Sequence, residues 1–158
     1  LDNLSINDFD KFVKDLKKSN HMLIIGDNSG ESVFDRMMLE YFTETFPNKQ
    51  FAYSIRSGPA INDITKIEAE EIGLSKICKI IEGSASPGVI LEQTNQEFQE
   101  IFKNSDLILS KGQGNYESLD DIEIGNSNLY FLLKAKCIFV AKRFGVEVGS
   151  LIFKKREK

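Results

Sequence analysis

Two carboxylates and one amide stand where they can serve as metal ligands. Asp27 and Asn28 follow the apolar run 22–25 and Gly26, and Asp63 follows a later apolar run and a turn. Carboxylate and amide oxygens are hard ligands that suit Mg²⁺ or Mn²⁺. A cation held there can polarise a phosphoryl oxygen and lower the pKa of a bound water. We therefore predict a metal site formed by Asp27, Asn28 and Asp63.

A second set of residues can bind a phosphate. Lys111 lies in a glycine-containing loop after another apolar run, and Gly112 and Asn115 follow it in the same loop. Lysine holds phosphate as a point charge, and glycine lets backbone N–H groups approach an anion closely. Arg56 and Ser57, at the end of the run 51–56, can add donors to the same phosphate.

The candidate catalytic residues are Asp27, Lys111 and Glu31, of which Glu31 can orient a metal-bound water. An acid in the first turn of a helix is also favourable for structural reasons alone, and this explanation is equally supported. Asp27 and Asn28 likewise have an alternative role as turn or cap residues. The functional interpretation depends on the recurrence of such residues in several loops.

Several other kinds of site are disfavoured. The Lys111 loop lacks the final Lys-Ser/Thr of a P-loop, and segment 26–30 does not fit Gly-x-Gly-x-x-Gly. The sole histidine, His21, precedes the first apolar run and offers no basis for a Ser-His-Asp system. Cys78 and Cys137 lack the spacing of a zinc site or a disulfide framework.

Short apolar runs alternate with segments of helical periodicity along the chain. We predict helices at 4–18, 31–45, 64–72, a segment ending at 103, and 137–144, and strands at 22–26, 51–56, 79–82, 106–110, 129–133 and 146–153. Segments 111–117 and 120–128 are expected to be loops. This alternation is typical of a mostly parallel sheet with helices on both faces.

The same alternation predicts where the candidate residues meet. Ligands of open parallel sheets bind at the carboxyl ends of the strands. Asp27, Asp63 and Lys111 each follow a predicted strand, so we expect them at one edge of the sheet. Helix 31–45 should pack its broad apolar face into the core, and its residues are Val33, Phe34, Met37, Met38, Tyr41 and Phe42.

Composition restricts the class of protein. The chain has 158 residues, of which 41% are hydrophobic and 28% are charged, as expected of a single globular domain. Its net charge of −4 gives no general attraction to nucleic acid or to anionic membranes. No apolar run is long enough to span a bilayer, and a cytoplasmic location is the default expectation. The oligomeric state is left open.

Four segments, in this order, resemble motifs of the metal-dependent damage-control phosphatases of domain-of-unknown-function family eighty-nine. The segments are Gly26-Asp27-Asn28-Ser29-Gly30-Glu31, Arg56-Ser57-Gly58-Pro59 with Asn62-Asp63-Ile64-Thr65, Leu109-Ser110-Lys111-Gly112-Gln113-Gly114-Asn115-Tyr116-Glu117, and Phe131-Leu132-Leu133-Lys134-Ala135-Lys136-Cys137. The resemblance covers the chain from about Met22 to Phe153. Ser29 stands where the family usually has Ala.

The resemblance implies a three-layer α/β/α Rossmann-like fold and hydrolysis of phosphate monoesters of sugars and damaged metabolites. It implies a metal at the positions of Asp27, Asn28 and Asp63, with Co²⁺ and Ni²⁺ as further candidates, and a phosphate-contacting lysine at Lys111. Family members usually carry a helical region before the first strand. The chain starts with Leu1, so we expect a fragment that lacks most of this region.

The leading hypothesis is therefore a metal-dependent phosphatase acting on a small phosphorylated metabolite. Two alternatives remain open: a non-catalytic module that binds a metal or a phosphorylated ligand, and an interaction domain without a ligand. Metal-activated water is the simpler mechanism, although Asp27 is also a possible nucleophile.

Overall fold

The computed structural model describes residues 3–157 as an alternation of strands and helices. The strands β1 to β7 are Leu4–Asn7, His21–Ile25, Gln50–Ile55, Lys79–Glu82, Leu107–Lys111, Asn128–Lys134 and Leu151–Lys155. The helices α1 to α6 are Phe9–Lys18, Ser32–Thr45, Lys66–Glu71, Gln96–Asn104, Gln113–Leu119 and Ile138–Phe144. Short 3₁₀ turns occupy Leu74–Lys76 and Leu91–Gln93.

The strands form one sheet in the order β1-β7-β6-β5-β2-β3-β4. Neighbouring strands run parallel except β6 and β7, which are antiparallel. One core lies between the sheet and α1, α2 and α3, and the other lies between the sheet and α4, α5 and α6. The predicted α/β class, with a mostly parallel sheet and helices on both faces, is confirmed.

The predicted helix at 4–18 is correct only from Phe9 onward. Residues Leu4–Asn7 are instead a strand that pairs in parallel with β7. The side-chain oxygen of Asn7 accepts a hydrogen bond from the backbone N–H of Phe9 at 3.0 Å, which favours a helix start at this point. The pairing partner lies more than 140 residues away in sequence, so local periodicity could not reveal it.

The predicted helix at 31–45 is confirmed as α2, but the prediction of its buried face was wrong. Its buried residues are Ser32, Asp35, Leu39 and Phe42. The side chains of Val33, Phe34, Met37 and Tyr41 are exposed, from 46% for Val33 to 71% for Phe34. The helix is rotated so that Asp35, rather than the apolar stripe, faces the sheet.

The loop predicted at 111–117 is largely helical. Strand β5 extends to Lys111, and α5 begins at Gln113 with only Gly112 between them. Helix α6 ends at Phe144 and is capped by Gly145, whose φ is 67°. None of the helices within residues 3–157 has the length and apolar character needed to cross a membrane.

Candidate active site

The turn after β2 is joined directly to the loop after β3. The carbonyl oxygen of Asp27 accepts a hydrogen bond from the N–H of Ile64 at 2.9 Å, and Asn28 and Asp63 form an isolated antiparallel bridge. Because β2 and β3 are parallel neighbours, their carboxyl ends bring these loops to one edge. The structure thus brings together the three predicted metal ligands.

The carboxylate of Asp27 is poorly compensated. Its only side-chain hydrogen bond comes from Asn28 Nδ2 at 3.0 Å, and it takes part in no ion pair within the described residues 3–157. Burial, with the nearby charges of Asp63 and Glu31, raises the pKa of Asp27 to about 6. A buried carboxylate with this surplus of negative charge is suited to bind a cation.

Lys111 reaches the same edge from β5, but carboxylates already surround its amine. Nζ lies 2.7 and 2.8 Å from the two oxygens of Asp35 and 3.1 Å from Glu31 Oε2. The hydroxyl of Tyr53 donates a further hydrogen bond to Asp35 at 2.7 Å. Burial raises the pKa of Glu31, but the charge of Lys111 and the contacts with Lys111 and Asn28 lower it more. The pKa of Glu31 therefore lies below its ordinary value.

Arg56 joins two loops to helix α5. Its Nε donates to Asp63 Oδ2 at 2.7 Å, and its Nη2 donates to the carbonyl of Pro87 at 2.9 Å and to Asn115 Oδ1 at 3.1 Å. Asn115 is fully buried, and its amide also donates to the carbonyls of Gly26 and Lys111. The hydrogen bonds of Arg56 and Asn115 therefore hold the ends of β2, β3 and β5 together.

Gly112 is required for steric reasons. Its φ is +81°, and a Cβ at this position would overlap the carboxylate of Asp27. Its N–H donates to the carbonyl of Leu132 at 2.9 Å. Glycine therefore lets β5 and the turn after β2 approach each other, while the phosphate contact predicted for Gly112 stays a prediction.

Ser57 is the predicted site residue that the structure leaves most isolated. It is exposed, in the loop between β3 and α3, and makes no side-chain hydrogen bond to another described residue. By contrast, Asp27, Glu31, Lys111 and Gly112 line one cavity of about 280 Å³ at the carboxyl edge.

A larger cavity of about 660 Å³ lies at the opposite end of β2 and β3, beside His21 and Gln50. It contains none of the predicted site residues, so its size does not make it the candidate active site. The smaller cavity is the candidate active site, because Asp27, Glu31 and Lys111 line it.

Two residues of the site were missed by the sequence reasoning. Asp35 anchors Lys111, and Tyr53 supports Asp35 beneath the turn at Gly26, where a Cβ would overlap the tyrosine ring. One signal was available: Asp35 follows Glu31 by four residues, so both project from one side of the helix. Tyr53 carried no such signal, because it reads as an ordinary buried strand residue.

The candidate metal ligands include an amide as well as carboxylates. Among residues 3–157 no group of three or more His, Cys, Asp and Glu side chains is arranged to hold a metal ion. The ligands predicted here are instead two carboxylates and the amide of Asn28. Asn28 donates to Asp27 and to Glu31 through Nδ2, and its Oδ1 accepts no hydrogen bond from another described residue. Hard oxygen donors of this kind fit a small divalent cation.

The fold and the site together define a Rossmann-like α/β domain with a polar site at the carboxyl ends of its parallel strands. The chain belongs to the family described as the damage-control phosphatase ARMT1-like domain, whose model matches residues 2–152. This match confirms the resemblance seen in the four sequence motifs.

Three archaeal relatives support the assignment. The chain is 39% identical over 152 residues to the damage-control phosphatase PH1575 of Pyrococcus horikoshii. The aligned part covers 96% of this chain and 52% of that protein. It is 39% identical over 157 residues to the uncharacterized protein MJ0202 of Methanocaldococcus jannaschii, covering 97% and 51%. It is 31% identical over 153 residues to a damage-control phosphatase of Archaeoglobus fulgidus, covering 96% and 51%.

The crystal structure of the DUF89 family protein PH1575 from Pyrococcus horikoshii has the same fold. It superposes with a TM-score of 0.90 at 36% sequence identity, over 98% of this chain and 53% of that chain. The chain thus spans about half the length of the curated relatives that it matches.

Proposed function

We propose that this chain is a metal-dependent phosphatase domain that hydrolyses phosphate monoesters of small metabolites, such as sugars or damaged metabolites. The observation that carries the proposal is the convergence of Asp27, Asn28, Asp63 and Lys111 at the carboxyl edge of the sheet. Membership of the family, and the name damage-control phosphatase given to two relatives, support the same reaction class. We also propose a cytoplasmic location.

Asp27, Asn28 and Asp63 would hold a divalent cation through their oxygens. The buried, poorly compensated carboxylate of Asp27 and the open Oδ1 of Asn28 support this assignment. Mg²⁺ and Mn²⁺ suit the ligand type, and the family resemblance adds Co²⁺ and Ni²⁺. When bound, such a cation would polarise the phosphoryl group and lower the pKa of a water.

The other predicted residues would bind and orient the substrate. The Nζ of Lys111 would contact a phosphoryl oxygen and offset its charge. Glu31 would accept a proton from the attacking water at its half-exposed carboxylate. Gly112 and Asn115 would keep Lys111 in place, and Arg56 and Ser57 would shape the phosphate side of the site from the loop after β3.

The proposal is tested by hydrolysis of an aryl phosphate with added Mn²⁺, Co²⁺, Ni²⁺ or Mg²⁺. Asp27→Ala and Asp63→Ala should each reduce turnover by about 100-fold or more, because each removes an oxygen ligand. Glu44→Ala is the control, since Glu44 is exposed near the far end of α2, about 20 Å along the helix from Glu31. Turnover that persists in both aspartate variants would exclude this site.

A second candidate is a non-catalytic module that binds a metal or a phosphorylated ligand. It is favoured by one observation, that the carboxylates of Asp35 and Glu31 already lie against the amine of Lys111. Thermal melting with the same metals separates the two functions, because a ligand that binds the folded state raises the melting temperature. A rise that disappears in Asp63→Asn, without any turnover by the parent chain, would favour the binding module.

A further inference from the structure

The amine of Lys111 lies between two carboxylates of the described chain. Its three close oxygen neighbours are both carboxylate oxygens of Asp35, at 2.7 and 2.8 Å, and Oε2 of Glu31, at 3.1 Å. Asp35 accepts hydrogen bonds from Lys111 at both of its oxygens, and Glu31 completes the set of anionic neighbours as an ion pair. A phosphate that binds Lys111 must therefore compete with a carboxylate for the ammonium group.

The two carboxylates are not equivalent. The side chain of Asp35 is 6% exposed and also accepts the hydroxyl hydrogen bond of Tyr53 at 2.7 Å. The side chain of Glu31 is 51% exposed, and its other oxygen accepts from Asn28 Nδ2 at 3.1 Å. Separating Asp35 from Lys111 would leave a buried charge unpaired, whereas the half-exposed Glu31 can release Lys111 at little cost and remain beside the site, where it can still accept a proton from a water.

We propose that Glu31 occupies the anion position of Lys111 when no ligand is bound and that a phosphoryl group displaces it, while Asp35 stays as the positioning residue of the lysine. The inference rests on the proposed function for the nature of the ligand. Glu31 bridges Lys111 and Asn28, which is where a phosphoryl group must lie to contact both the lysine and a metal at the predicted ligands. Glu31 thus makes ligand binding competitive with a contact inside the protein.

Two substitutions with the same change of charge separate the roles of the carboxylates. Glu31→Gln removes the competing anion, so inorganic phosphate should bind about two- to fivefold more tightly. Asp35→Asn removes the anchor of Lys111, so phosphate should bind about tenfold more weakly. Binding is measured by calorimetric titration of the protein with inorganic phosphate at a fixed Mg²⁺ concentration.

Glu117→Gln is the control for net charge, because Glu117 is exposed on α5 and bonds to Gln113 rather than to Lys111. It should leave phosphate affinity unchanged. The metal-induced rise in melting temperature should persist in Asp35→Asn, since Asp35 makes no hydrogen bond to the predicted metal ligands. Loss of the metal response there would show general damage rather than loss of positioning, and would overturn the role of Asp35.

Equal tightening in Glu31→Gln and Glu117→Gln would reveal a simple charge effect and overturn the inference, as would unchanged or weaker binding in Glu31→Gln. If Asp35→Asn does not fold, the comparison of the two glutamate variants still decides the role of Glu31. A parent chain without detectable binding supports the inference if Glu31→Gln binds phosphate, and contradicts it if that variant also fails. Turnover is assayed separately, so absent hydrolysis with the expected affinities removes only the proposed activity.

Discussion

The charge of Asp27 is unfavourable in the folded chain without a metal. Its pKa rises from an ordinary value of 3.8 to about 6, chiefly because of burial and then because of the charges of Asp63 and Glu31. The folded state therefore holds this proton more tightly than the unfolded state does. As a result, the contribution of Asp27 to stability falls as the pH rises from about 4 to about 6, and stays low above that.

We predict that Asp27→Asn stabilises the metal-free protein at pH 7. The shift of the Asp27 pKa sets a ceiling of roughly 3 kcal/mol, and solvent screening reduces the expected gain to about 1–2 kcal/mol. Thermal melting in the presence of a chelator should show no gain at pH 4 and the full gain above pH 6. Asp63→Asn is the contrast, because it leaves the guanidinium of Arg56 without its carboxylate and should destabilise the fold. A lower melting temperature for Asp27→Asn at pH 7 would contradict the prediction.

For single residues, the sequence revealed the candidate metal and phosphate ligands but not the side chains that bind them within the protein. Asp27, Asn28 and Lys111 stood out because polar residues follow apolar runs directly, and strand parity alone places such positions at one edge. The pairing of Lys111 with Asp35 joins residues that are 76 positions apart. It depends on the rotation of α2 about its axis, which no local pattern encodes.

Among the connecting elements, the link between β5 and α5 depends on Gly112. A side chain there would incur the strain of a φ of +81° and would also overlap the carboxylate of Asp27. We predict that Gly112→Ala lowers the free energy of unfolding by about 3 kcal/mol or more and abolishes the metal-induced rise in melting temperature. The measurement is chemical unfolding with and without Mn²⁺.

Gly125→Ala is the matched control for Gly112→Ala. Gly125 has a φ of +59°, but a Cβ there would meet no atom within 4 Å. The control should show only the cost of the backbone conformation, about 1–2 kcal/mol, and keep its response to metal. Equal losses of unfolding free energy in the two variants would mean that the close approach of Gly112 to Asp27 does not contribute to stability.

The error over α2 has a physical explanation. Six large apolar residues in segment 33–42 predicted a wide buried face, yet only Phe42 of these is buried. Asp35 takes a place beneath the helix because it binds Lys111 and Tyr53, and Leu39 lies one turn further on the same side. A buried charge network thus decided the orientation of α2 against its apolar pattern.

Over the whole molecule, alternation of strands and helices was sufficient to predict the fold class but not the far side of the sheet. Strands β2 to β6 follow the expected parallel pattern. Strand β7 turns antiparallel to β6, and β1 pairs with β7 from the other end of the chain. Such non-local pairing leaves little local trace, and for β1 it overrode a helical pattern at 4–7.

Both cores share one sheet, so we predict that the chain unfolds as a single cooperative unit. Leu39 of α2 and Phe98 of α4 are fully buried on opposite faces. Leu39→Ala and Phe98→Ala should lower the free energy of unfolding by about 2–5 and 3–5 kcal/mol, and each should reduce amide-exchange protection on both faces of the sheet. Phe34→Ala, at an exposed position of α2, should change the free energy of unfolding by less than about 0.5 kcal/mol. Two separate calorimetric transitions, or protection lost on one face only, would mean that each layer of helices is stable independently of the other.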